Sequence, residues 1–199
     1  MSPLQFNLEN HVYTVDGVKI PSVTTVLSST GISDYSRVPS QTLEEAAARG
    51  TAVHRILELY DMGQLAECPE WATEYLDAWK KFKTEMDVKI LACEMRVFHD
   101  KFWFAGTLDR IARIGGEKYI LDIKTTSAVM RAHSIQTSAY SLAYRKQSKE
   151  RAINRGSVYV WVGGKYQFIQ HKGKGDESVF LAALQVHNWK VKHDVGVSL

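Results

Sequence analysis

Apolar positions recur along this chain with two periods, and the switches between them lay out its elements. Two-residue alternation over residues 11–15 and 18–20, around Asp16-Gly17, predicts a hairpin. After Pro21, Ser22 can cap a short helix running through Leu27, and residues 31–40 read as loop. Val53, Ile56, Leu57 and Tyr60 then take the i, i+3, i+4, i+7 spacing of a buried face, predicting a helix over 42–60. A second helix, over 70–86, sets Trp71, Tyr75, Trp79, Phe82 and Met86 on one side. Such an aromatic row can stack bases, but its helical period favours core packing. Strands follow at 90–98, 102–114 and 118–124, with Gly115-Gly116 turning between the last two. A helix over 129–147 leads to a strand pair at 158–162 and 165–170 around Gly163-Gly164. There Val158, Val160 and Val162 alternate with Tyr159 and Trp161, so both faces of that pair are expected to be covered. A last helix opens at Asp176, with Phe180, Leu184 and Val191 along one side. The order predicts an α/β fold, a central mixed β-sheet flanked by helices, with a small hairpin before it.

Composition narrows the class. At 199 residues, 45% apolar and 11% aromatic, the chain is expected to form one domain with a full core, residues 1–40 attached to a body over 41–199. No run is apolar for long enough to span a bilayer, so no membrane partner is expected. The first ten residues lack a basic segment followed by an apolar one, which predicts no signal peptide. Cys68 and Cys93 are too few to ligate an iron–sulfur cluster or a zinc ion by themselves. A reducing cytoplasm fits best, with a mitochondrial location open if a presequence has been removed. Net charge is +3 but uneven: residues 1–144 hold 15 Lys/Arg against 18 Asp/Glu, residues 145–199 hold 10 against 4. The basic final quarter could carry a phosphate backbone.

The chemistry concentrates in two predicted strands. Asp109 stands in Gly106-Thr107-Leu108-Asp109-Arg110, and Asp122 and Lys124 in Leu121-Asp122-Ile123-Lys124-Thr125. Residues two apart on a strand share a face, so Asp122 and Lys124 point the same way, and a hairpin can return Asp109 to Asp122. Ile120, Leu121 and Ile123 surround Asp122, where a lone carboxylate is costly unless paired or metal-bound. Two acids and an ammonium at a sheet end can hold a divalent metal against a phosphodiester, the ammonium steering a metal-bound water. A surface salt bridge is the plainer reading of an Asp-x-Lys spacing alone.

In order and spacing the chain resembles the PD-(D/E)XK nuclease superfamily, in particular its RecB-type exonuclease branch. The resemblance rests on Gly50 to His54, Glu94, Gly106 to Asp109, Asp122-Ile123-Lys124, and Gln136 to Tyr140. The proline that names the superfamily is absent before Asp109, where Leu108 stands. The resemblance implies a restriction-endonuclease-like core and Mg²⁺- or Mn²⁺-dependent DNA hydrolysis. His54, Asp109, Asp122 and the main-chain carbonyl of Ile123 would be metal ligands, and Lys124 would position the attacking water. Glu94 would tune the site or complete a second metal position, an ion pair with Arg96 or with a basic group across the sheet being the plain alternative. Gln136 would align substrate; Tyr140, Thr125 and Ser127 would contact DNA. Small members of this branch resemble phage or mitochondrial genome-maintenance exonucleases, implying DNA ends, single-stranded or duplex, and replication or recombination proteins as partners. An endonuclease of the same fold and a non-catalytic DNA-end-binding protein are the alternatives.

Overall fold

The computed structural model describes residues 4–8, 10–126, 128–150 and 152–196. β1 (Gln5–Asn7), β2 (Val12–Val15) and β3 (Val18–Ile20) form a small antiparallel sheet, so the expected hairpin gains a third strand. Next come α1 (Val23–Ser29), α2 (Ser40–Asp61) and, after a 3-10 turn, α3 (Thr73–Glu85). β4 (Val88–His99), β5 (Phe104–Ile114) and β6 (Glu117–Lys124) lead into α4 (Arg131–Ser148). β7 (Asn154–Trp161), β8 (Lys165–Gln170) and α5 (Asp176–Lys192) complete the described chain. The main sheet runs β4-β5-β6-β7-β8 and is antiparallel except for the β6–β7 pair. The last strand pair is therefore part of the main sheet, and α4 is the crossover that a parallel pair requires.

Three boundaries move from their expected places for local reasons. β5 starts two residues late because Trp103 N–H donates to His99 O at 2.7 Å, closing a turn. β7 starts at Asn154, which parallel pairing engages opposite Tyr119. Trp71 lies in the 3-10 turn before α3 and is exposed, while Tyr75, Trp79 and Phe82 are core, as the helical period indicates.

Alternation along β6 sorts the two faces of the sheet. Ile120 enters the core beneath α1, α4 and α5, with Leu108, Ile111, Tyr140 and Phe180. Leu121 and Ile123 enter the core beneath α2 and α3, with Val53, Leu57, Trp79 and Phe82. Burying a side chain such as Leu57 or Phe82 contributes about 1.5–3 kcal/mol. Helix α2 meets this core through Val53 and Leu57, and Ile56 is buried as well. Its first half, residues 40–49, is largely exposed.

The small sheet packs Tyr13, Val15 and Ile20 on Ala105. Tyr13 Oη lies 2.7 Å from Thr107 Oγ1, which fixes the small sheet beside β5. At Gly106 an added Cβ would lie 2.6 Å from Cε1 of Tyr140, so the glycine lets the α4 ring lie directly on β5. Gly106→Ala should therefore lower unfolding stability by about 1–3 kcal/mol, read by urea denaturation. An unchanged midpoint would show that Tyr140 can move aside freely.

Candidate active site

The C-terminal end of β6, the middle of β4 and β5, and the second half of α2 converge on one site. His54 Nδ1 lies 3.6 Å from Asp109 Oδ2. His54, Glu94 and Asp109 each offer one ligand atom, and those atoms lie within 4.8 Å of one another; among the described residues no other His, Cys, Asp or Glu group gathers this way. One imidazole and two carboxylates are a donor set that suits a divalent metal ion.

Asp109 is fixed by the backbone as well: its Oδ2 accepts the Ile123 N–H at 2.6 Å. This bond links β5 to β6 beyond the last paired residues, Arg110 and Leu121. Side-chain alternation breaks here. Leu108 faces the α4 core, whereas Arg110, two residues on, reaches the α2–α3 side. On β4, Glu94 has φ +47, a left-handed conformation that costs a non-glycine residue about 1 kcal/mol or more. The acids thus stand where the sheet is irregular, and the two-residue rule alone would not have put Glu94 and Asp109 together.

Asp122 and Lys124 share a face, with Lys124 Nζ donating to Asp122 Oδ1 at 2.9 Å and to Gln136 Oε1 at 3.0 Å. Gln136 Nε2 in turn donates to Tyr140 Oη at 3.1 Å. Tyr140 is only 4% exposed, so it stands behind Gln136. Asp122 Oδ2 accepts from Ser157 Oγ at 3.2 Å, and Ser157 also meets His171 Nε2 at 2.9 Å. Asp122 therefore lies outside the three-residue cluster and is turned toward its own ion pair. Ser157 escaped the sequence reading because its place opposite Asp122 follows only from the parallel β6–β7 register. Glu94 pairs with Arg110 at 3.2 Å. Arg110 is the basic group across the sheet, on the strand paired with β4, while Arg96 lies over the Phe6 ring.

Electrostatics follow from this crowding. Burial pushes the Glu94 carboxyl up to about 7, with the Asp109 charge adding and Arg110 opposing. Burial raises Asp122 to about 6 against the pull of Lys124. Burial works against the Lys124 charge, but Asp122 and Asp109 outweigh it and its pKa is raised.

A cleft of ≈ 970 Å³ opens on one side, lined by His54, Ile123, Lys124, Thr125 and Gln136, with Tyr35, Arg49 and Trp161 farther out. A second cavity of ≈ 240 Å³ is lined by Glu94, Thr107 and Tyr140. Thr125 Oγ1 sits 3.4 Å from where a Gly50 Cβ would stand, so the glycine lets α2 approach the cleft floor. Ser127 lies outside the described residues.

Comparison with known proteins agrees with this architecture. The sequence profile of the PD-(D/E)XK nuclease superfamily matches residues 70–191, more than half of the chain, and the chain belongs to that superfamily. Its members use divalent metal ions. The match includes Glu94, Asp109, Asp122, Lys124 and Gln136, while His54 precedes it. No curated protein matches the chain. A solved "putative exonuclease" from Eubacterium rectale is 13% identical, over 90% of this chain and 83% of that one, with a TM-score of 0.57; the likeness is one of fold. The crystal structure of SSO0001 is 15% identical over 92% of this chain and 85% of that one, and its TM-score of 0.45 carries no argument. Among the described residues no helix is long and apolar enough to cross a membrane.

A buried histidine, His133, and a half-buried one, His171, give the site a stability signature. Burial holds His133, 2.7 Å from Tyr159 Oη, down to about 3, and His171 down to about 4. In the unfolded chain both titrate near ~6.5. Between those values the unfolded state binds protons that the folded state refuses, so stability falls as pH drops from about 6.5 toward 4. His171→Gln should lose less of its urea midpoint than the wild type between pH 7.5 and 5. Parallel losses would remove His171 from the account.

Proposed function

We propose that the protein is a Mg²⁺- or Mn²⁺-dependent deoxyribonuclease, a single nuclease domain that works exonucleolytically on DNA ends. The observation that carries this reading is Asp109, which joins His54 and Glu94 in one cluster and is tied to β6 beside the Asp122–Lys124 pair. A non-catalytic binding module has little need to gather acids where DNA phosphates would lie. When bound, a divalent ion supplies Lewis acidity at the scissile phosphate and a more acidic water. His54, Glu94 and Asp109 would hold it, joined from β6 by Asp122 and the Ile123 carbonyl.

Lys124 would steer the attacking water and stabilise charge on the phosphoryl oxygens, its ammonium aimed by Asp122 and Gln136. Gln136 would meet substrate from the cleft side while Tyr140 holds its amide from behind. Thr125, on the cleft floor, would take a backbone phosphate, as would Ser127. Action on ends rests on the RecB-branch resemblance of the five motifs and on the fold shared with a protein named as an exonuclease. The setting would be replication, recombination or end processing in the cytoplasm of a bacterial or phage-infected cell.

A Mg²⁺ or Mn²⁺ digest of end-labelled linear single-stranded, linear duplex and closed circular DNA tests the reading. Linear substrates should shorten from an end while closed circles survive; internal cutting of circles at a similar rate would replace exonuclease by endonuclease. Lys124→Ala should lose about 10²-fold or more in turnover with DNA binding largely kept. Wild-type turnover by this variant would remove Lys124 from the chemistry.

A further inference from the structure

Arg110 follows the cluster aspartate directly, yet the chemistry above gives it no part. Its side chain is fully buried. Nε donates to Asp61 Oδ2 at 2.8 Å, and Nη1 donates both to Glu94 Oε1 at 3.2 Å and to the Asp109 main-chain oxygen at 2.7 Å. Nη2 is buried with no partner among the described residues. A buried guanidinium with a spare donor is expensive unless its geometry is needed.

The anchoring runs away from the site. Asp61, at the end of α2 and also fully buried, accepts from Lys83 Nζ at 2.6 Å and from Trp79 Nε1 at 3.1 Å, as well as from Arg110. Two cations thus face one carboxylate, and Arg110 reaches Glu94 as well. Glu94 carries the left-handed backbone noted above, a conformation that persists only when surrounding contacts hold it. Arg110 provides that hold with Nη1, which grips the Glu94 carboxylate and the Asp109 main-chain oxygen together, while Nε is locked on Asp61. A planar fork can do this; a lysine ammonium, with one nitrogen, can reach Asp61 or Glu94 but cannot bridge them with the same geometry.

We propose that Arg110, locked by Asp61, is a positioning residue that sets the Glu94 carboxylate against His54 and Asp109 for metal binding. The inference rests on the metal-dependent nuclease reading but concerns how the donor set is held. Residues of this kind, one bond removed from the ligands, typically change metal affinity by roughly 10- to 100-fold when altered.

The test is a double-mutant cycle on Mn²⁺ affinity, read by electron paramagnetic resonance of free Mn²⁺, with Mn²⁺-dependent DNA cleavage measured in parallel. Wild type, Arg110→Lys, Glu94→Gln and the double variant are compared after circular dichroism confirms folding. Arg110→Lys should weaken Mn²⁺ binding about tenfold or more, and in the Glu94→Gln background it should weaken it no further. Wild-type affinity in Arg110→Lys, or losses that multiply in the double variant, would overturn the proposal. If Arg110→Lys does not fold, Asp61→Asn takes its place in the same cycle with the same two readings. Coupled Mn²⁺ binding without DNA cleavage by the wild type would support Arg110's role and reject the nuclease reading. Absence of Mn²⁺ binding by the wild type would reject both.

Discussion

Asp109 stands between two further carboxylates, Glu94 on β4 and Asp122 on β6, and the repulsion it exerts on each is the constraint around which the surrounding structure is arranged. Like charges this near one another, two of them raised by burial, would not stay gathered without offsets. Each acid has its own. Asp122 has the Lys124 ammonium and the Ser157 hydroxyl, Glu94 has Arg110, and Asp109 has the Ile123 amide and the His54 imidazole. Cation binding would relieve the remaining repulsion, so the same feature that strains the fold supplies a driving force for taking up a metal.

The fold delivers these offsets from four elements. The β6–α4–β7 crossover puts Gln136 over Lys124 and Ser157 beside Asp122. Gly106 admits the Tyr140 ring, which lets α4 settle close enough for that contact. Asp61 at the end of α2 fixes Arg110 from the other face of the sheet. Core packing and site geometry are thus joined through particular residues, and each buried polar bond that orders the site also ties two layers together.

Much of this was legible in the residues. Helical and strand periods place α2 through β6 nearly as found, because amphipathic faces report directly which positions are buried. The Gly106–Asp109 and Asp122–Lys124 spacings place the hairpin and the ion pair, since neighbouring antiparallel strands leave little freedom. The hidden parts depend on long-range register. Ser157 meets Asp122 only through the parallel pairing, and Asp61 meets Arg110 only because the end of α2 lies behind β5. The irregular backbone at Glu94 also left no sequence sign, as no glycine marks it. The tight gathering of His54, Glu94 and Asp109 follows from that local backbone, with Asp122 beside it on β6.

The central claim is that these side chains grip a divalent ion, with His54 giving the one nitrogen. Electron spin-echo spectroscopy of the Mn²⁺-loaded protein reads directly coordinated nitrogen. The account predicts a ¹⁴N modulation from a single imidazole that disappears in His54→Ala. A modulation that persists in that variant, or bound Mn²⁺ with no nitrogen neighbour in the wild type, would contradict it.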